Sequence, residues 1–194
     1  MFIYDDNFLS LEQVLTVGKA VTKSNKDILW HALESTSGIR QYPKIKESTL
    51  TVSEDMQYSH AASFNDTKMS DIHDLGSHIL HTFAKKHGIQ INKVLRIKAN
   101  ILNKTDKQNH IHPPHVDMTI PHMVLLYYVN DSDGDTVIFN EKYSAKSSSL
   151  TVNRKISPKA GAAILFDGLT YHSSSSPQYA EERIVLNINF IPNN

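Results

Sequence analysis

Residues 94–102 read Val94-Leu95-Arg96-Ile97-Lys98-Ala99-Asn100-Ile101-Leu102. In an extended chain Leu95, Ile97, Ala99 and Ile101 fall on one face, and Arg96, Lys98 and Asn100 on the other. This alternation predicts a strand between a packed core on one side and water or a wet cleft on its cationic, amide-bearing side. The period of two persists downstream. Further strands are predicted at 121–130, 136–140, 150–156, 162–166, 170–172 and 183–191, with Asp133-Gly134 as a hairpin turn between the first two. Many short strands without intervening helices predict an antiparallel sandwich or barrel. The expected fold is mainly β: a double-stranded β-helix (jelly roll) buttressed by N-terminal helices.

Upstream of residue 92 a helical period dominates. Ser10 is placed to cap a helix carrying Leu11, Val14, Leu15 and Val17. Residues 27–35, with the single tryptophan Trp30, are expected to form a short second helix. A third should run over 70–87, capped by Ser70, apolar along Ile72, Leu75, Ile79, Leu80 and Phe83, and stopped by Gly88. Residues 49–54 and 58–64 read as weak strands. The 194 residues are expected to form one domain, with 1–91 a mainly helical support and 92–194 the jelly-roll core.

Twenty Lys and Arg balance twenty Asp and Glu, so no global field recruits nucleic acid or an anionic membrane. The chain has no cysteine, which excludes disulfides and thiolate metal sites and fits a reducing cytoplasm. There is no membrane-length apolar run, and the first residues lack a signal-peptide pattern. A soluble, cytoplasmic protein is expected.

His115-Val116-Asp117, His172 and Arg183 carry the chemistry. Two imidazoles and a carboxylate on one side of a metal leave its other positions open, as a non-haem iron(II) oxygenase requires. With 11 His and 13 Asp in the chain, a His-x-Asp is expected roughly 0.7 times by chance, so its surroundings must decide. Residues two apart on a strand point the same way, which would aim His115 and Asp117 at one point. Arg183 opens an alternating strand with Val185, Asn187 and Asn189 on its polar face, and its guanidinium suits bidentate capture of a carboxylate. Tyr128, on the strand predicted over 121–130, could donate its hydroxyl to the same carboxylate. The plainer alternatives are a hydrogen-bonded strand end for His115 and Asp117, and a rim salt bridge to Glu181 or Asp135 for Arg183.

Taken in order, these segments resemble the iron(II)- and 2-oxoglutarate-dependent oxygenases, most closely the prolyl 4-hydroxylase-like branch. The resemblance spans roughly residues 94–191. It rests on His115-Val116-Asp117, Leu126-Tyr127-Tyr128-Val129-Asn130, Asp133-Gly134-Asp135-Thr136 with Phe139, the strand over 161–166, His172 and Arg183. It implies that His115, Asp117 and His172 bind Fe(II), that Arg183 pairs with the distal carboxylate of 2-oxoglutarate with help from Tyr128, and that Asn100 approaches its metal-proximal end. The implied reaction consumes dioxygen and 2-oxoglutarate, releases succinate and CO2, and hydroxylates an unactivated C–H bond. A peptidyl prolyl residue is the specific expectation; a free amino acid, another small metabolite or a nucleobase stays open. The chain departs from the family pattern in its Asp-Gly-Asp-Thr turn, in Val185 where a hydroxyl residue is common, and in Ser173-Ser174-Ser175-Ser176 after His172.

Two rival readings remain: a cupin-like metal enzyme that does not use 2-oxoglutarate, and a non-enzymatic jelly-roll binding module. His110, His112 and His122 are read as a polar cleft rim rather than a second metal site, which would need three or four converging ligands. Asp74, His78 and His81, with His73, are read as a solvated helix face. The loops over 103–112 and 41–64 are expected to shape the substrate mouth.

Overall fold

A computed structural model describes residues 1–36, 42–47, 49–144 and 149–193. The chain runs β1 (Phe2–Asp5), α1 (Leu11–Ala20), β2 (His31–Leu33), β3 (Lys44–Ile45), β4 (Thr51–Val52), β5 (Gln57–Phe64), β6 (Thr67–Lys68), α2 (Ile72–Lys86) and β7 (Ile91–Asn103). It continues with β8 (His110–Ile111), β9 (Met123–Tyr128), β10 (Thr136–Lys142), β11 (Ser149–Leu150), β12 (Val152–Ile156), β13 (Ala163–Asp167), β14 (Thr170–Ser174) and β15 (Glu182–Pro192). The major sheet has the order β1-β13-β9-β15-β7-β5-β2, with β6 on β5, and the minor sheet the order β12-β10-β14. Both are antiparallel; the small pairs β3/β11 and β4/β8 are parallel. From β9 onward the chain passes between the two sheets, which makes the jelly roll.

The alternation in β7 holds in three dimensions. Leu95, Ile97, Ala99 and Ile101 are buried on the outer face of the major sheet, beside Ile184, Leu186 and Ile188 of β15 and Leu125 and Tyr127 of β9. Val17 of α1 and Ile79, Leu80 and Phe83 of α2 cover that face. The inner face, turned toward the minor sheet, carries Arg96, Lys98 and Asn100. Their cross-strand partners on β15 are Asn189, Asn187 and Val185. Apolar residues Val124, Leu126, Ile164 and Phe166 fill the rest of that face.

Several expectations are corrected. Residues 27–35 are not a helix: tight turns lead into β2, which adds to β5. A nine-residue helix is marginal alone, whereas the β5 edge supplies ladder bonds. Two helices and six strands lie within 1–91, so this region is less helical than its spacing suggests. Helix α1 has its capping box, with Gln13 N donating to Ser10 Oγ and Ser10 N to Gln13 Oε1, but Leu11 and Leu15 are exposed. Ser70 does not cap α2; its hydroxyl bonds His60 Nε2 at 2.7 Å. Gly88, at φ +66°, ends that helix as expected.

Asp133-Gly134 is not a hairpin turn either, because β9 and β10 belong to different sheets. It is a crossing between them, pinned where the Asp133 carboxylate accepts the backbone N–H groups of Gln178, Tyr179 and Ala180. A Cβ at Gly134 would lie 2.6 Å from the Ser175 carbonyl oxygen and 2.9 Å from Arg183 Cδ. Gly134→Ala should therefore cost about 1–3 kcal/mol, read as a lower urea midpoint at unchanged m-value. A midpoint equal to wild type would show that the crossing can yield.

Of the expected 41–64 loop, Gln41 and Ser48 lie outside the described residues. The 103–112 segment is anchored: Lys104 N and Thr105 N donate to the Glu181 and Pro177 carbonyls, and β8 pairs with β4. No helix among the described residues is long and apolar enough to cross a membrane.

Candidate metal centre

His115 and Asp117 do not share a strand. Pro113 and Pro114 deny the preceding backbone its N–H donors. His115 alone makes a bridge, to His172 of β14, with N···O distances of 2.9 and 3.0 Å in the two directions. That bridge places the two imidazole rings 4.7 Å apart. Asp117 follows in a bend. One ligand atom from each of His115, Asp117 and His172 lies within 4.8 Å of the others.

The backbone sets both imidazole tautomers. Each Nδ1 faces the carbonyl oxygen two residues earlier, Pro113 for His115 and Thr170 for His172, both at 3.1 Å. A carbonyl only accepts, so Nδ1 carries the hydrogen and the neutral ring leaves Nε2 with a lone pair for a metal. Burial, together with the His172 ring, pushes the His115 imidazole down to about 4. Burial likewise lowers His172. Both rings are therefore neutral donors at neutral pH.

Burial alone would raise the Asp117 carboxyl, but Arg96 and the two imidazoles outweigh it and hold the group well below its usual range. Arg96 Nη2 donates to Oδ1 at 2.7 Å, and Asn187 and Asn189 donate to Oδ2 at 3.0 and 2.9 Å. Three of about four lone-pair positions are thus used, leaving one for a cation. These three donors were not among the expected site residues. The signal was present, because the alternation puts all of them on the polar inner faces of β7 and β15. Since loss of such an outer partner typically costs 10–100-fold in metal affinity, Arg96→Met should weaken Fe(II) or Co(II) binding by about that factor. Unchanged affinity in a metal titration would mean that Arg96 serves only the fold.

Behind the metal group lies Arg183, buried to 3% exposure. Its Nε donates to the Gly134 carbonyl at 2.8 Å and its Nη2 to Thr136 Oγ1 at 2.7 Å. The Tyr128 hydroxyl donates to the same Thr136 oxygen at 2.9 Å. Arg183 and Tyr128 do converge, then, but through Thr136, the first residue of β10, which was not among the expected site residues. The rim salt bridge is not formed. Glu181 pairs with Lys104, Asp135 accepts from Ser157, and no carboxylate among the described residues lies within ion-pair distance of Arg183. A buried guanidinium without a counter-ion is costly.

A narrow cleft of about 50 Å³ joins the two groups, lined by His115, Asp117, His172, Thr136 and Arg183 together with Gln57, Lys98 and Asn100. Asn100 Oδ1, Asn187 Oδ1 and Gln57 Nε2 are buried without a hydrogen-bond partner. Burial and the neighbouring Arg96 push the Lys98 amine down to about 8. Orphaned polar atoms, an unpaired guanidinium and two free Nε2 lone pairs suit a divalent metal and an anionic ligand.

No protein-family model matches the sequence, and no curated protein matches it significantly. Solved structures do. A 2OG-Fe(II) oxygenase family oxidoreductase from Burkholderia pseudomallei aligns over 98% of this chain and 85% of its own, at 10% identity and TM-score 0.62. The fold is shared with the 2OG-Fe(II) oxygenases. A non-heme alpha ketoglutarate dependent epimerase from nogalamycin biosynthesis aligns at 12% identity and TM-score 0.60, covering 98% of this chain and 78% of its own. A Pseudomonas putida prolyl-4-hydroxylase gives 11% identity and TM-score 0.54, covering 98% and 92%.

Of the remaining histidines, His122 joins no donor group among the described residues, its Nδ1 lying toward the Ile120 carbonyl. His78 meets Gln13 and His81 the Ser77 carbonyl, and no three-donor group forms on α2 among the described residues. His110 and His112 do come together, with Asp55.

Proposed function

We propose that this protein is an Fe(II)- and 2-oxoglutarate-dependent dioxygenase that hydroxylates an unactivated C–H bond, with a peptidyl prolyl residue as the preferred substrate. The observation that carries the reading is the buried, anion-less Arg183 behind a His-Asp-His group on this fold. His115, Asp117 and His172 would hold the iron, which when bound supplies the dioxygen chemistry that releases succinate and CO2. Arg183 takes the distal carboxylate of 2-oxoglutarate, and Thr136, held by Tyr128, fixes the guanidinium plane. Asn100, with its free Oδ1 in the cleft, orients the metal-proximal end. Arg96, Asn187 and Asn189 keep Asp117 ionised and in place. Buried Leu126 and Val185 line the cleft and would help to keep bulk water from the reacting atoms. The prolyl-4-hydroxylase among the similar structures supports the prolyl substrate. The epimerase among them shows that the fold also serves other chemistry.

The test is succinate release from 2-oxoglutarate with Fe(II), first without a second substrate and then with proline-containing peptides. Iron-dependent succinate formation, stimulated by a peptide that gains one oxygen atom, is expected. Succinate at the blank rate, with or without peptides, would reject the reading in favour of a metal enzyme independent of 2-oxoglutarate or a binding module. Metal titration of wild type against His115→Ala separates those two.

A further inference from the structure

Asp55, His110 and His112 form a second cluster whose ligand atoms lie within 4.8 Å of one another. It is built from segments 55 residues apart, brought together by the β4/β8 pairing of Thr51 with His110 and Val52 with Ile111. The two imidazole side chains are 3% and 0% exposed. His110 Nδ1 lies 3.1 Å from the Lys107 carbonyl oxygen, which can only accept, so Nδ1 carries the hydrogen. The other ring nitrogen, Nε2, faces Asp55 Oδ2 at 3.1 Å. His112 Nε2 faces the same oxygen at 3.3 Å, while its Nδ1 is held by Ser174 Oγ at 2.9 Å. Ser174 Oγ can donate to that Nδ1 or accept from it; with the hydrogen on Nδ1, as at His110, both Nε2 lone pairs and the carboxylate oxygen converge on one point, the donor set of a cation.

A proton on a ring is one such cation, but the complete enclosure of His112 opposes charging it. The Lys107 ammonium does not fill the place, because it sits on the other carboxylate oxygen, Oδ1, and on the Glu54 carbonyl. Each ring has its far nitrogen held by a protein oxygen while the near one faces inward, as metal-ligating histidines do. We propose that Asp55, His110 and His112 form a second divalent-cation site, of zinc type, separate from the His115-Asp117-His172 group. Two nitrogens and one carboxylate oxygen suit Zn(II), with the Ser176 hydroxyl, 3.3 Å from His112 Nε2, or water completing a tetrahedron.

The placement gives the site a purpose. The His112 amide donates to the Ser174 carbonyl at 2.7 Å, and the Ser173 hydroxyl donates to the His112 carbonyl. The cation would thus lock residue 55 and the segment leading to His115 onto β14, the strand that carries His172. It would fix the spacing of two ligands of the first site without touching the reaction.

The probe is Zn(II) alone, added to metal-free His115→Ala/Asp117→Ala protein so that the first donor set is absent. One zinc per chain should survive gel filtration. X-ray absorption fine structure should show imidazole nitrogen scattering near about 2.0 Å, and zinc should raise Tm. Adding Asp55→Asn and His112→Gln should weaken retention at least about tenfold, whereas Lys107→Ala, which keeps all three donors, should retain it. No bound zinc, zinc without imidazole scattering, or equal retention by the Asp55→Asn/His112→Gln chain would overturn the site and leave a protonated ion-pair cluster. The scattering measurement keeps both imidazoles in place, so misfolding of a deletion variant does not blunt it. None of these outcomes depends on the proposed dioxygenase activity.

Discussion

Arg183→Met should raise the 2-oxoglutarate concentration needed for half-maximal succinate release by roughly 10²–10⁴-fold while leaving Fe(II) binding nearly unchanged. Removing one partner of a buried ion pair costs about 3–5 kcal/mol, and each 1.4 kcal/mol is a factor of ten. The guanidinium spends two donors on Gly134 and Thr136, which leaves others in its planar fork for a ligand carboxylate. Arg183→Lys keeps the charge but loses the fork, so it should fall between the two. A thermal readout gives an independent check. Succinate or 2-oxoglutarate should raise the Tm of wild type, because only the folded state binds it, and should not raise that of Arg183→Met. A variant with an unaltered 2-oxoglutarate requirement would remove Arg183 from the co-substrate site, whatever its burial.

Acid should destabilise the metal-free protein by roughly 3 kcal/mol between pH 6.5 and pH 4 through His115 alone. The unfolded chain takes up this proton near 6.5, whereas burial holds the folded imidazole at about 4. Between those values the unfolded state binds more protons, so stability falls as pH falls; above 6.5 the contribution is fully present. The 2.5-unit gap at 1.36 kcal/mol per unit gives the magnitude. His172 and His112 are lowered too and add in the same direction. Asp117 and Asp55 are carboxyls held below their usual range, so their contribution is lost only as pH falls below the unfolded value of 3.8. The upper window therefore belongs to imidazoles. Urea unfolding in the presence of chelator, at pH values across this range, should show the slope, and His115→Gln should flatten it. Equal stability at pH 7 and pH 4.5 would contradict the burial of the pair.

The core was legible because its period is simple. In β7 and β15 the alternation named the apolar and the polar face, and the polar face proved to hold Arg96, Asn187 and Asn189 as well as Arg183. Cross-strand register was not legible, and register is what turns those residues toward Asp117. Ser70 shows the limit of local signals: it had a cap's position, yet His60, ten residues away in sequence, took its hydroxyl. The 27–35 segment failed for the same reason, since a sheet edge outbid a weak helix. Asp133-Gly134 carries hairpin chemistry in a connection that changes sheets, and a dipeptide cannot reveal which sheet the next strand joins. Asp55 was invisible beside His110 and His112, because parallel pairing of two-residue strands leaves almost no pattern.

The His115/His172 bridge belongs to the minor sheet side, whereas the groups that hold Asp117 come from the major sheet. A cation shared by these three residues would consequently clasp together two layers whose strand ladders differ in length. The β7/β15 ladder is long and doubly flanked, while β14 is short and pairs only with β10 among the named strands. Opening of a structure proceeds in cooperative units that need not share one free energy. Metal loss would uncouple those units, so the backbone amides of β10 and β14 would exchange with solvent sooner while those of β7 and β15 kept their protection.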